Sequence, residues 1–145
     1  MKKRDVIFTL LGVIAMGFIL FEFSKPRLKR WSESVACGNY MSSVGFGAMV
    51  WAGDNSNHLA DNFLCMSNEL STPTFLICPS DKIRKPAENW GTFTTNNCSY
   101  EILRLGMPDD DLTNAYFRCT IHGHLGFADG TVFDGKRRRT NVWPW

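Results

Sequence analysis

The sequence contains no C-x-x-C pair, no glycine-rich phosphate loop, no G-x-S-x-G elbow and no H-E-x-x-H pair. Those absences remove the short-motif grounds for a nucleotide-phosphate site, a serine-hydrolase nucleophile or a zinc-protease helix. No internal repeat or low-complexity segment is present, which excludes a repeat array. A surplus of one charge is also lacking, the net charge being +2. Charge is segregated instead. Residues 1–30 hold seven Lys/Arg against two Asp/Glu, and residues 31–135 hold five against twelve. The last ten residues add Lys136, Arg137, Arg138 and Arg139. An acidic middle between basic ends lacks the continuous positive footprint of a nucleic-acid binder, so no such partner is expected. Hydrophobic residues at 44% and charged residues at 21% are ordinary globular usage, which argues against a mainly disordered or fibrous chain. The length of 145 residues leaves room for one domain of the usual size, about 100–200 residues.

What is present is one long apolar run, residues 6–23, whose only ionisable residue is Glu22. Lys2, Lys3 and Arg4 precede it; Lys25, Arg27, Lys29 and Arg30 follow. At about 1.5 Å per residue a helix of that length spans roughly 27 Å, against a bilayer core of about 30 Å. Twelve of its residues are Val, Ile, Leu or Phe. At about −0.3 to −0.6 kcal/mol each they give roughly −5 kcal/mol of insertion free energy. Glu22, near the end, can reach the headgroups. The expectation is an uncleaved transmembrane anchor with basic flanks over 1–30, and the lipid bilayer as a partner. The alternatives are a buried core helix, which a nearly continuous apolar run fits badly, and a cleaved signal peptide, for which Ser34-Val35-Ala36 supplies a small-x-small site before Cys37. Three basic residues on one side of the run and four on the other leave the orientation open.

Pro26 is expected to end the anchor helix, with 25–30 as a linker. From about Glu33 a second helix is expected, because Cys37, Tyr40, Met41, Val44, Ala48 and Trp51 recur at helical spacing. Gly38, Gly45 and Gly47 weaken it by about 1 kcal/mol each, so tertiary packing must hold it. The turn residues at 53–57 stop it. Short strand-like runs follow at 75–78, 92–103 and 115–121. Runs 125–127 and 131–133 flank Asp129-Gly130, the signal for a two-residue hairpin with a type I′ turn. The fold class expected is α+β: the N-terminal transmembrane helix, then a head over 31–135 in which a helix packs on a four- or five-stranded antiparallel sheet. Residues 136–145 form a basic, Trp-containing tail.

The five cysteines would form two disulfides and leave one odd thiol in an oxidising compartment, and stay as thiols in the cytosol. Cys119-Thr120-Ile121-His122-Gly123-His124 places a Cys and two His within six residues. On a strand His122 and His124 face one way and Cys119 the other. That parity speaks against a shared metal and against a Cys–His nucleophile pair, so no metal, no cofactor and no catalytic residue is expected. Asp54-Asn55-Ser56-Asn57 and Asp109-Asp110-Asp111 offer oxygen ligands but complete no calcium loop, since the twelfth position from Asp54 is Cys65 where a Glu is needed. Trp51, Trp90, Trp143 and Trp145 support a rival reading, a membrane-anchored or secreted module that stacks on carbohydrate.

Three stretches carry a family resemblance. The first is Cys37-Gly38-Asn39 with Gly45 and Trp51-Ala52-Gly53-Asp54-Asn55. The second runs from Asn68-Glu69-Leu70-Ser71-Thr72-Pro73 into Phe75-Leu76-Ile77-Cys78-Pro79-Ser80-Asp81. The third is Cys119-Thr120-Ile121-His122-Gly123-His124 leading to Ala128-Asp129-Gly130-Thr131-Val132. Together they resemble prepilin-like proteins of the H-x(9)-D-G type, bacterial relatives of type II secretion pseudopilins, over about residues 37–135. Departures are visible. Six residues separate His122 from Asp129 where the motif has nine. Gly17-Phe18-Ile19-Leu20-Phe21-Glu22 resembles the prepilin peptidase site, but the apolar run precedes the Glu here instead of following it. The resemblance implies a single-pass protein of the bacterial inner membrane, with its N-terminus inside and a pilin-like head outside the cytoplasm. It implies a structural or assembly role beside other pilin-like subunits or secretion-system components of that membrane, with Glu22 as the assembly-related position. No enzymatic activity is expected.

Overall fold

The computed structural model describes residues 3–135 and 138–139, with side-chain surroundings for 12–18, 20–22 and 24–135. The chain divides into two compact units, Met1–Ser32 and Glu33–Trp145. One helix, α1 (Lys3–Asp54), contributes to both, and Pro26 lies inside it. The expected break at Pro26 and linker at 25–30 are therefore corrected. Proline removes one backbone bond and crowds the carbonyl four residues back, at about 3 kcal/mol, a small loss against the turns it interrupts. Side chains pair nearby carbonyls: the Ser24 hydroxyl donates to the Phe21 carbonyl at 2.8 Å and Arg30 Nε to the Pro26 carbonyl at 3.3 Å.

In the first unit Val13, Ile14, Met16, Phe18, Leu20 and Phe21 are exposed. Glu22 forms an exposed ion pair with Lys25, whose ammonium lies 5.0 Å from the Phe21 ring centroid. Among the described residues no helix is long and apolar enough to cross a membrane. Of the 6–23 run, residues 6–11, 19 and 23 lie outside those whose side chains are described.

In the second unit Cys37, Met41, Val44, Ala48 and Ala52 are fully buried, one stripe at helical spacing. Tyr40 and Trp51 border it, half-buried. The helix stops at the anticipated turn. The N–H groups of Asn55 and Asn57 both reach the Ala52 carbonyl at 2.9 Å, and Ser56 and Asn57 have φ of 58° and 59°.

The stripe faces an all-antiparallel meander of five strands, which are β1 (Tyr100–Ile102), β2 (Phe117–Cys119), β3 (Leu125–Gly126), β4 (Val132–Phe133) and β5 (Arg138–Arg139). Two residues of the basic tail thus extend the sheet; the rest of 136–145, with Trp143 and Trp145, lies outside the described residues. Phe117 centres the aromatic packing, its ring centroid 5.5 Å from Tyr116 and 6.0 Å from both Tyr100 and Phe63.

Three local expectations are corrected. The run 75–78 is not a strand: Pro73–Leu76 is a 3-10 turn, because Thr72 caps the Thr74 N–H and Pro73 takes the first position. The region 92–103 shrinks to β1, since Trp90–Thr92 and Thr95–Asn97 close into 3-10 turns with reciprocal capping. Five residues, 127–131, join β3 to β4, and the turn enclosed by the Phe127–Thr131 bond has three residues, not two. Phe127 N–H bonds the Thr131 carbonyl at 3.0 Å, and Gly130 takes the left-handed position at φ 74°. Asp129 sets this geometry by accepting the Thr131 N–H at 2.9 Å and its hydroxyl at 2.6 Å.

Candidate metal centre

Three of the five cysteines converge on one histidine. Cys37 belongs to the buried stripe of α1. Cys78 lies just past the Pro73–Leu76 turn, Cys119 ends β2, and His122 sits in the turn that follows. One donor atom from each lies within 4.8 Å of all the others. Cys78 Sγ is 3.3 Å from His122 Nδ1. The three cysteines are fully buried and His122 is half-buried.

This overturns the strand-parity expectation. Alternation of side chains ends where the strand ends, and β2 ends at Cys119. The Gly123 N–H bonds the Cys119 carbonyl at 2.9 Å, Gly123 has φ 70°, and the His122 N–H approaches Cys119 Sγ at 3.4 Å. The chain folds back and returns His122 to the cysteine's side. His124 goes elsewhere. Its carbonyl accepts the Cys119 N–H at 2.9 Å, its Nε2 is 3.2 Å from Ser34 Oγ, and its ring stacks on His122 with centroids 5.0 Å apart. Across the sheet from Cys119, Tyr100 sets its hydroxyl 3.8 Å from Cys37 Sγ.

The three thiols share protons. Hydrogen bonds from Cys37 and Cys78 hold the Cys119 pKa far below the ordinary thiol value; burial opposes this and the N–H groups of His122 and Ile121 add to it. Bonding to Cys119, then to Cys78, then burial push Cys37 upward. Bonding to Cys119 pushes Cys78 up to about 11. Three buried negative charges at this spacing would require a cation among them. The other two cysteines stay apart: Cys98 Sγ donates to the Tyr100 carbonyl at 3.3 Å, and Cys65 is exposed.

The remaining sequence-predicted positions do structural work. Asp81 builds the turn that carries Cys78. Its N–H bonds the Cys78 carbonyl at 2.8 Å, and its carboxylate accepts from the N–H groups of Ile83 and Arg84, the Arg84 guanidinium and the Ser99 hydroxyl. The Pro79 carbonyl accepts from Lys82 Nζ at 3.2 Å. Exposed Asn39 accepts the Ser43 hydroxyl at its carbonyl at 3.2 Å. Asp54 ends α1, and Asn55 Nδ2 donates to the Trp51 carbonyl at 2.7 Å. The Gly130 carbonyl accepts the Ser42 hydroxyl. Glu22 belongs to the other unit and is described above. Trp51 and Trp90 pack against the core, and Trp90 Nε1 donates to the Leu70 carbonyl at 3.1 Å. Asp111 is occupied within its own turn by Thr113 and Asn114. Among the described residues no other set of three His, Cys, Asp or Glu brings its donor atoms together. No family model, curated protein or solved structure matches the chain.

Proposed function

We propose that this chain is a non-enzymatic, single-pass protein of the bacterial inner membrane. Its pilin-like head stands outside the cytoplasm and serves a structural or assembly role in a type II secretion or type IV pilus-like system. The observation that supports this best is the two-part character of α1. Its early residues present apolar side chains outward, and its late residues bury a stripe against an antiparallel meander. Leaving a large apolar side chain in water forgoes about 1.5–3 kcal/mol each, and a lipid environment recovers it. The partners on this reading are the bilayer and other pilin-like subunits or inner-membrane components.

Cys65 offers a direct test, because it is the exposed cysteine of the head. A membrane-impermeant maleimide applied to intact spheroplasts is expected to label the chain, and Cys65→Ser is expected to abolish the label. The protein is also expected to stay with carbonate-washed membranes. Labelling only after lysis, or release of the chain into the soluble fraction, rejects the proposal.

Glu22 makes a second prediction. Its ion pair with Lys25 is exposed and worth at most about 1 kcal/mol. Glu22→Gln is therefore expected to leave abundance and membrane localisation unchanged, by quantitative blotting of fractionated cells. Loss of a visible filament in that variant would assign Glu22 a direct part in assembly.

A further inference from the structure

We propose that Cys37, Cys78, Cys119 and His122 bind one structural Zn2+ ion that ties the buried stripe of α1 to the Cys78 turn and the end of β2. This goes beyond the membrane reading and does not depend on it. Tetrahedral zinc, with Zn–S near 2.3 Å and Zn–N about 2.0–2.1 Å, sets its sulfurs roughly 3.8 Å apart and sulfur and nitrogen roughly 3.5 Å apart. The four donors already lie within 4.8 Å of one another, with the Cys78–His122 pair at 3.3 Å. Closing the widest gap needs a shift of about 0.5 Å per ligand, which χ1 adjustment supplies. Three sulfurs and an imidazole suit zinc and not the hard, oxygen-seeking calcium or magnesium ions. Four protein donors fill the coordination sphere, which is the pattern of a structural site and not of a catalytic one.

The surroundings fit a metal–thiolate centre independently of the ligands. The backbone N–H of His122 is directed at Cys119 Sγ at 3.4 Å. The Tyr100 hydroxyl stands 3.8 Å from Cys37 Sγ. Zn2+ with three thiolates and neutral His122 carries one net negative charge, and these donors are what such a centre requires around it. Binding is a proton exchange with no redox change. Zn2+ displaces the proton from each ligand thiol that carries one, takes the three sulfurs as thiolates and the Nδ1 lone pair of His122, and the displaced protons pass to solvent. Affinity therefore rises with pH. The competing fate of the same atoms is a disulfide between two of the three cysteines, which needs an oxidant and excludes the ion.

The full chain, purified from its native cells at neutral pH without added metal or reductant, is the sample to measure. About one zinc per chain by elemental mass spectrometry is expected, with an intact mass showing no disulfide. Cys65→Ser and Cys98→Ser are expected to keep the zinc; Cys119→Ser and His122→Ala are expected to lose it. Tyr100→Phe is expected to weaken binding by about 10-fold, the scale of an outer partner. The metal-free chain given Co2+ alone is expected to show thiolate-to-cobalt charge-transfer absorption and the intense d–d bands of tetrahedral coordination. His122→Cys guards against simple misfolding, because it keeps four zinc-competent donors and is expected to remain loaded. A native chain that holds a disulfide among Cys37, Cys78 and Cys119, or a folded chain that takes up neither Zn2+ nor Co2+, overturns the proposal.

Discussion

Replacing Asp81 with Ala is expected to cost about 3–4 kcal/mol of folding free energy, the scale for removing one partner of a buried charged network. The Asp81 side chain is only 1% exposed. It accepts two backbone N–H groups at 2.9 and 3.0 Å, the Arg84 guanidinium at 2.9 Å and the Ser99 hydroxyl at 2.7 Å. Ser99 is itself buried, and its hydroxyl loses its acceptor. Arg84 is part-exposed and can rehydrate, which keeps the loss below that of a fully buried pair. Burial alone would raise the Asp81 pKa. The Arg84 N–H, the Ser99 hydroxyl, the Ile83 N–H and the Arg84 guanidinium outweigh burial and hold it well below the carboxylate range. A depressed folded-state pKa contributes stability that is fully present above the unfolded value, about 3.9, and is lost as pH falls through the folded value. Thermal unfolding of the full chain at pH 7, 4 and 2.5 checks this. The gap between native chain and Asp81→Asn should be widest at pH 7 and should shrink below pH 4. A gap independent of pH would mean that the charge contributes nothing and the side chain only fills space.

Asp81 also shows where sequence reading succeeds and stops. The Cys78-Pro79-Ser80-Asp81 stretch was legible as a turn and as a motif, because Pro, Ser and Asp are turn formers whatever surrounds them. The apolar 75–78 run before it was not legible, since four apolar residues carry no period and the Thr72–Pro73 start decides for a 3-10 turn. The stripe of α1 was readable because Cys37, Met41, Val44 and Ala48 repeat at helical spacing; the unbroken backbone at Pro26 was not, because a local propensity is overridden by the turns on both sides. The metal candidate was hidden for a different reason. Parity holds only inside a strand, and the strand ends at the one residue on which the argument turned. The available signal was the C-x-x-H spacing closed by Gly123, which marks a turn that brings Cys119 and His122 to one side. Nothing local could bring Cys37 to that turn: the meeting depends on α1 packing against the sheet, a long-range event with no sequence period.

That packing distance yields the second large effect. Gly45 lets α1 approach the β3–β4 loop backbone to backbone: a Cβ built there would stand 2.7 Å from the Phe127 carbonyl oxygen and 2.9 Å from Gly130 Cα. Both neighbours are main chain, and Gly130 is fixed by its φ of 74° and by the Ser42 hydroxyl on its carbonyl, so neither can yield like a flexible side chain. Ala would gain about 0.5–1 kcal/mol of helix propensity at this site, but overpacking costs about 1–3 kcal/mol. Gly45→Ala is expected to destabilise by about 1–2 kcal/mol and Gly45→Val by about 3 kcal/mol or more. Gly38 is the internal control, because a Cβ there meets nothing within 4 Å. Gly38→Ala should stabilise by about 0.5–1 kcal/mol. The opposite signs are measurable as shifts in thermal midpoint of roughly 2–4 °C per kcal/mol for a chain near this size. Cys37 lies on the same helix about two turns before Gly45, so lifting α1 off the loop also draws its sulfur away from Cys119 and His122. Gly45→Val should therefore weaken zinc uptake as well as lower the midpoint, whereas Gly38→Ala should leave zinc uptake unchanged. If Gly45→Ala raised the midpoint as Gly38→Ala does, the close approach of α1 to the hairpin would be wrong, and with it the placement of Cys37 in the cluster.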